Sequence, residues 1–239
     1  MFEFLFPKKC IFCGKIGKYK FYNVCKSCYG KIEFCSDYEC CTRCGTPQIS
    51  MGEEKLCYDC MTRTYFPCKR IASVGAYRND FRNCILRFKN GKTSYGKTLA
   101  YFMSRRAYEV YREIDFDIVV PVPFDKERQN SRGYSSSHIL GKEISRLTKI
   151  PFEGKGLKKI KKTPKQTSLK HKERIENLVD AFKGYEDKVK GKTVLLVDDV
   201  CTTGSTLREC ARALKRAGAK TVYGITAGTT VRFGEKINK

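Results

Sequence analysis

The stretch at residues 193–206 constrains this chain more than any other. An apolar, β-branched run, Thr193-Val-Leu-Leu-Val, leads straight into two carboxylates, Asp198 and Asp199, and then into Val200-Cys-Thr-Thr-Gly-Ser-Thr. A run without polar alternation predicts a central strand of a parallel sheet covered on both faces. Leu207, Cys210, Ala211 and Leu214 then recur at helical spacing, and Gly218 ends that helix. The fold class is therefore α/β. In such sheets ligands lie beyond the carboxyl ends of the strands, where the following helix offers free amides and the positive end of its dipole. Thr202, Thr203, Ser205 and Thr206 add hydroxyl donors, and Gly204 lets the backbone approach an anion. Two adjacent carboxylates beside a phosphate repel it unless they hold hydroxyls or a metal on the same ligand. That pattern points to a phosphorylated ribose. A plain helix cap accounts for Asp199 and Thr203 but not for the whole set.

The cysteines divide the chain. Twelve of the fourteen fall between Cys10 and Cys84, so the first quarter follows different chemistry from the rest. Cys10-x2-Cys13 and Cys25-x2-Cys28 form one pair of knuckles, and Cys41-x2-Cys44 and Cys57-x2-Cys60 repeat it with nearly the same internal spacing. Two intervening residues let both sulfurs bend around one ion, and two knuckles complete a tetrahedron, so two closed structural Zn2+ sites are expected. Gly14 and Gly45 supply the positive φ of the knuckle turns. Cys40 abuts Cys41 and could replace it as ligand, at the expense of the regular spacing. Cys35, Cys68 and Cys84 read as ordinary thiols. A Lys-rich segment of this length, short of aliphatics, orders itself only around metal.

No run of eighteen apolar residues exists, so no membrane span is expected. The opening apolar residues are too few for a signal-peptide core, which favours a reducing, cytoplasmic setting in which thiols bind metal. The 48 Lys plus Arg against 25 Asp plus Glu give a formal charge of +23, and two four-thiolate zinc sites still leave about +19. Either a polyanion-binding face or a merely solubilising surface follows from this balance. Tyr19, Phe21, Tyr22, Tyr29 and Phe34 in the first ribbon are candidate stacking platforms for a single strand, with a core role the commoner fate.

Other elements are legible more coarsely. Residues 72–77 read as a strand and 81–89 as a helix capped at Asn90-Gly91. In the helix at 98–111, Leu99, Phe102, Met103 and Tyr111 face a core. A second apolar strand, Asp117-Ile-Val-Val-Pro-Val-Pro, is stopped by its prolines. Lys158-Lys-Ile-Lys-Lys-Thr-Pro-Lys-Gln has the composition of a loop, and Ile175, Leu178 and Phe182 beyond it suit one helical face or the start of an edge strand.

The motif at 197–206 resembles the signature of type I phosphoribosyltransferases. That resemblance implies phosphoribosyl pyrophosphate (PRPP) as ligand, with Asp198 and Asp199 as the catalytic dyad on the ribose. Thr202, Thr203, Gly204, Ser205 and Thr206 would hold the 5-phosphate, and Mg2+ would accompany the pyrophosphate. It also sets the turn after Pro121-Val-Pro opposite the pyrophosphate. There Lys126, Arg128 and Arg132 could neutralise charge on the departing group, or form a solvated loop. Tyr77, Leu86-Arg-Phe-Lys, Pro121-Val-Pro, Arg132-Gly-Tyr, Lys162-Thr-Pro-x-Gln, Arg174-x-x-Asn and the phosphate loop, behind a double ribbon, are similar in order to the ComF competence family across nearly the whole chain.

This second resemblance implies a double zinc ribbon over 1–68 and a phosphoribosyltransferase-like parallel sheet flanked by helices over 69–239. It further implies a cytoplasmic protein that handles single-stranded DNA during natural transformation, beside a competence helicase or DNA-uptake protein. A conventional phosphoribosyltransferase and a PRPP-sensing regulator are the competing readings. One departure stands out: after Arg132-Gly133-Tyr134 the family usually has Asn-Gln, whereas this chain has Ser135-Ser-Ser. Helix capping survives that change; roles at Ser135 and Ser136 do not transfer.

Overall fold

The computed structural model describes residues 8–17, 19, 22–48, 55–63, 65–124, 133–161 and 178–231. In chain order the strands are β1 (Arg70–Ala76), β2 (Ile118–Pro121), β3 (Leu157–Lys159), β4 (Phe182–Gly184), β5 (Thr193–Cys201) and β6 (Thr221–Thr229). The helices are α1 (Lys26–Tyr29), α2 (Tyr58–Met61), α3 (Asn79–Lys89), α4 (Tyr95–Val110), α5 (Ser136–Thr148), α6 (Glu186–Val189) and α7 (Ser205–Arg216).

Four strands form a parallel sheet in the order β1-β6-β5-β2. The two-sided apolarity of residues 193–197 is explained by this central position. Leu195 and Val197 enter the core under α3, α4 and α5, while Val194 and Leu196 enter the one under α7, the alternation a pleated strand imposes. Each of these side chains is fully buried, which stabilises the fold by about 1.5–3 kcal/mol apiece. As the sequence predicts, Leu99, Phe102, Met103 and Tyr111 are buried, and so are Leu207, Cys210, Ala211 and Leu214. Leu178 is buried as well, and Phe182 opens β4, which pairs antiparallel with β3, so the strand alternative is the one found at Phe182. Ile175 lies outside the described residues, as do 162–166 of the Lys-rich segment.

Both edges of the main sheet are covered. Along the free side of β1, the Ile71 amide donates to the Arg43 carbonyl at 2.8 Å and the Ala76 amide to the Glu33 carbonyl at 2.9 Å. Both acceptors belong to the cysteine-rich segment, so the ribbons close an edge that would otherwise invite pairing with another chain. On the far side, Val119 of β2 exchanges bonds with Pro151 and Glu153 at 2.8 and 2.9 Å. Pro121 is tolerated there because β2 is an edge strand. Ile11, Val24 and Ile32 of the first ribbon share a core with α3 and α4. No helix among the described residues is long and apolar enough to cross a membrane.

Candidate functional site

The carboxyl end of β5 is the candidate site. Gly204 takes φ +69°, a left-handed conformation that β-carbon-bearing residues adopt at a cost, and it turns the chain so that α7 begins at Ser205. The first amides of α7 have no carbonyl four residues back within the helix, which leaves an anion-binding end. The turn is held from behind. The Thr230 hydroxyl donates to the Thr202 carbonyl at 2.8 Å and the Thr230 amide to the Cys201 carbonyl at 3.1 Å. Arg208, only 8% exposed, donates through Nη1 to the Thr203 carbonyl at 2.8 Å and through Nη2 to Ser205 Oγ at 3.1 Å. Ser205 Oγ also lies 2.9 Å from Thr203 Oγ1. Burial, followed by the nearby Arg63 charge, lowers the Arg208 pKa. Thr202 is exposed and Thr203 and Thr206 half-buried, so these three hydroxyls are the accessible ones.

The two carboxylates differ in surroundings. Asp199 is 7% exposed; its Oδ1 receives an ion pair from Lys89 Nζ at 2.8 Å and its Oδ2 a hydrogen bond from Ser136 Oγ at 2.5 Å. Burial opposes the Lys89 charge, but Asp199 outweighs it and the ammonium pKa is raised. Asp198 accepts from the Asp199 amide at 2.8 Å. Burial, then the adjacent Asp199 carboxylate, push Asp198 up to about 7. Asp198 thus exchanges its proton near neutrality beside a carboxylate held by Lys89 and Ser136, a pairing suited to hydroxyls and cations rather than to a bare anion.

Lys89 is placed by a third element. Tyr134 donates its hydroxyl to the Phe88 carbonyl at 2.5 Å and accepts from the Gly91 amide at 2.7 Å, tying down the end of α3. Ser135 caps α5, as the sequence predicts, and Ser137 Oγ donates to the Val122 carbonyl at 2.6 Å.

The cysteines converge as two clusters. The sulfurs of Cys10, Cys13, Cys25 and Cys28 lie within 4.8 Å of one another, and so do those of Cys41, Cys44, Cys57 and Cys60. A tetrahedron with Zn–S bonds of about 2.3 Å has edges of about 3.8 Å. Cys13 and Cys25 are 3.8 Å apart and Cys44 and Cys57 3.6 Å, so the donor sets fit a structural zinc at each cluster. Knuckle amides face the sulfurs: Cys28 N to Cys25 Sγ at 3.4 Å and Cys57 N to Cys41 Sγ at 3.4 Å. Burial works against the Cys10 thiolate, but backbone donors at Cys13 and Cys25 bring its pKa down to about 7. Cys40 stands apart, its thiol on the Cys35 carbonyl at 3.2 Å, so Cys41 is the member of the cluster.

One strand end, one turn and one helix start therefore hold Asp198, Asp199, Thr202, Thr203, Gly204, Ser205 and Thr206. Lys126, Arg128 and Arg132 lie outside the described residues. Sequence reasoning missed three partners. Lys89 stands in the Leu86-Arg-Phe-Lys motif without a role, Ser136 sits where the family pattern breaks, and Arg208 has no local signal beyond its place on an amphipathic helix.

Comparison with known proteins agrees with this architecture. A phosphoribosyl transferase domain model matches residues 134–231 and a double zinc ribbon domain model residues 1–61. The chain is 30% identical over 224 residues to competence protein F of Haemophilus influenzae, covering 91% of this chain and 95% of that protein. It is 28% identical over 202 residues to competence protein ComFC of Bacillus subtilis, with 82% and 79% covered. With the DNA utilization protein YhgH of Escherichia coli K12 it shares 27% identity over 220 residues, covering 90% and 94%. A paired acid and Thr-Thr-Gly-Ser-Thr turn at the rim of a parallel sheet, two four-cysteine clusters against its edge, and likeness along nearly the full length place this chain in the ComF family of competence-related, phosphoribosyltransferase-like proteins.

Proposed function

We propose that the chain binds PRPP at the β5 rim and handles single-stranded DNA during DNA uptake. The observation that carries the first half is the joint placement of Asp198, Asp199 and the 202–206 turn around one helix start. Asp198 and Asp199 accept the ribose hydroxyls, Thr202, Thr203 and Thr206 hold the 5-phosphate with the amides of Gly204 and Ser205, and Arg128 and Arg132 are the cations that neutralise charge on the departing pyrophosphate. Mg2+ bound with PRPP supplies charge neutralisation at that pyrophosphate. The eight clustered cysteines hold two structural zinc ions. The second half rests on relatives named for competence and DNA utilization and on the net charge of +23; a competence helicase or uptake protein is the expected partner.

A thermal-shift titration with PRPP and Mg2+ tests the site, because a ligand raises stability only where it binds, by about 2.7 kcal/mol at a hundredfold excess over Kd. The parent melting temperature should rise and that of Asp198→Ala plus Asp199→Ala should not; equal rises overturn the assignment. Fluorescence anisotropy with an oligothymidine tests the DNA role, since each phosphate contact steepens the salt dependence by about 0.7 on single strands. No binding at low salt overturns that half. A second reading, transfer of the phosphoribosyl group to a base, draws on the completeness of the acid pair and turn. Base-dependent pyrophosphate release distinguishes it.

A further inference from the structure

We propose that the outward face of α4, with Tyr22 stacked on it, is the surface along which single-stranded DNA lies. The inward face of this helix belongs to the core through Leu99, Phe102, Met103 and Ala107. On the opposite side Lys97, Tyr101, Arg105 and Tyr108 recur at i, i+4, i+8 and i+11, which is one helical face, and Arg112 follows just beyond the C-cap. Lys97, Arg105 and Arg112 are exposed, and Tyr108 is 69% exposed. The stripe runs about 17 Å along the helix, at 1.5 Å per residue.

Tyr22 supplies the independent observation. It comes from the first ribbon, where Tyr22 and Asn23 take consecutive positive φ values of 39° and 62°, a conformation that side-chain-bearing residues avoid. The Thr98 hydroxyl donates to the Tyr22 carbonyl at 2.7 Å and pins that strained turn onto α4. The Tyr22 ring then lies on Tyr101 with centroids 4.0 Å apart and planes 19° from parallel. One ring face is used by that stack, yet Tyr22 remains 40% exposed. In contrast, Tyr29 and Phe34 pack against Phe102 and the core. An open aromatic ledge in line with cations is the arrangement that takes unpaired bases on its rings and phosphates on its charges, and bases hidden in a duplex cannot use it. Glu109, 3.9 Å from Arg105 and 3.4 Å from Arg106, and Glu113 flank the stripe without reversing its sign.

This inference rests on the single-stranded DNA half of the function proposed above, and its test separates the two. Anisotropy with a fluorescein-labelled oligothymidine is measured on the full zinc-loaded chain across a salt series. Tyr108→Ala should weaken binding by about 5- to 150-fold, the effect of losing one stacked base, while Tyr108→Phe retains it. Arg105→Ala plus Arg112→Ala should lower the salt slope by about 1.4, two contacts' worth. Because Tyr108 is exposed and far in sequence from the rim, the PRPP-induced thermal shift serves as the control for folding. If the parent binds oligothymidine and Tyr108→Ala binds it equally, the stripe is wrong and the DNA role stands; if the parent binds none, both fall. If Tyr108→Ala instead splits a dimer while DNA affinity is unchanged, the face joins copies of the chain and the inference is overturned.

Discussion

Asp198→Asn probes the electrostatics of the rim in the ligand-free protein. Burial and the Asp199 carboxylate raise Asp198 from 3.8 to about 7, with Lys89 offsetting only part of that rise. Between those values the folded chain retains a proton that the unfolded chain has released. Folding therefore takes up a proton, and stability falls as pH rises through the window. Below about pH 4 both states are protonated and the carboxyl is neutral in effect; above about pH 7 the full penalty is present. At about 1.4 kcal/mol for each pH unit over which the two states differ by one proton, the window is worth about 4 kcal/mol. Asparagine keeps the oxygen that accepts from the Asp199 amide at 2.8 Å but never ionises. Urea unfolding of both proteins between about pH 5 and 8 reports on Asp198 with its partners Asp199 and Lys89, because titrations remote from this cluster are common to them. The variant should lose less stability than the parent over that range and exceed it at the alkaline end, while responding more weakly to PRPP. Parallel profiles, or a variant less stable than the parent at about pH 8, would refute the reasoning.

Two further predictions concern groups that never touch solvent freely. Arg208→Gln withdraws the guanidinium from the Thr203 carbonyl and from Ser205 Oγ, which keeps Thr203 Oγ1 as a partner, so the cost falls mainly on the carbonyl, at about 1–3 kcal/mol for a polar group left unpaired. The melting temperature should fall and the PRPP-induced rise should shrink in titration; an unchanged PRPP affinity would show that the turn holds its shape without Arg208. Cys41→Ser should reduce bound zinc from two ions per chain to one by elemental analysis, whereas Cys40→Ser should leave both, since only Cys41 belongs to the cluster. Equal losses from the two variants would contradict that assignment.

The parts legible in the sequence were those whose physics is local. The apolar run of β5, its acids and the Thr-Thr-Gly-Ser-Thr turn are contiguous, so strand, turn and helix could be placed from pattern alone. The four knuckles likewise announce their clusters by spacing. What escaped depends on distant residues meeting. Ser136 reaches Asp199 across 63 positions, and no local signal distinguishes it from Ser135, which caps the helix, or Ser137, which holds Val122. Arg208 falls on an amphipathic helix where a cation is ordinarily solvated, and only the backward turn at Gly204 brings Thr203 under it. β6 was not foreseen because Gly224 and Gly228 dilute its apolar pattern; pairing with β1 and β5 on its two sides makes it a strand. The inward side of α4 was legible as core, but the use of its other side required the Tyr22 turn from a different module.

The contacts of the cysteine segment tie the two ribbons to the elements around the acid pair. The third knuckle does more than close a metal site. Gly45 takes φ +68°, and a Cβ there would stand 2.3 Å from the Ile71 carbonyl oxygen, so the knuckle turn lies directly against β1. Arg43 supplies the carbonyl that Ile71 donates to, and its own guanidinium donates to the Cys60 carbonyl at 3.0 Å. The second cluster is thereby fastened to the edge of the sheet whose inner neighbours, β6 and β5, lead to the rim. On the first ribbon, Glu33 binds the Ala76 amide through its carbonyl and pairs through its carboxylate with Arg78, just before α3. α3 ends at Lys89, on Asp199. The second ribbon thus bears on β1, whose Ile71 side chain lies near the Gly204 turn, and the first on the helix that carries the lysine of the acid pair. Edge protection alone would be served by a charged or short strand. Ribbons fixed at these points thus contact the helix whose Lys89 meets Asp199 and, through the Tyr22 carbonyl, the helix α4.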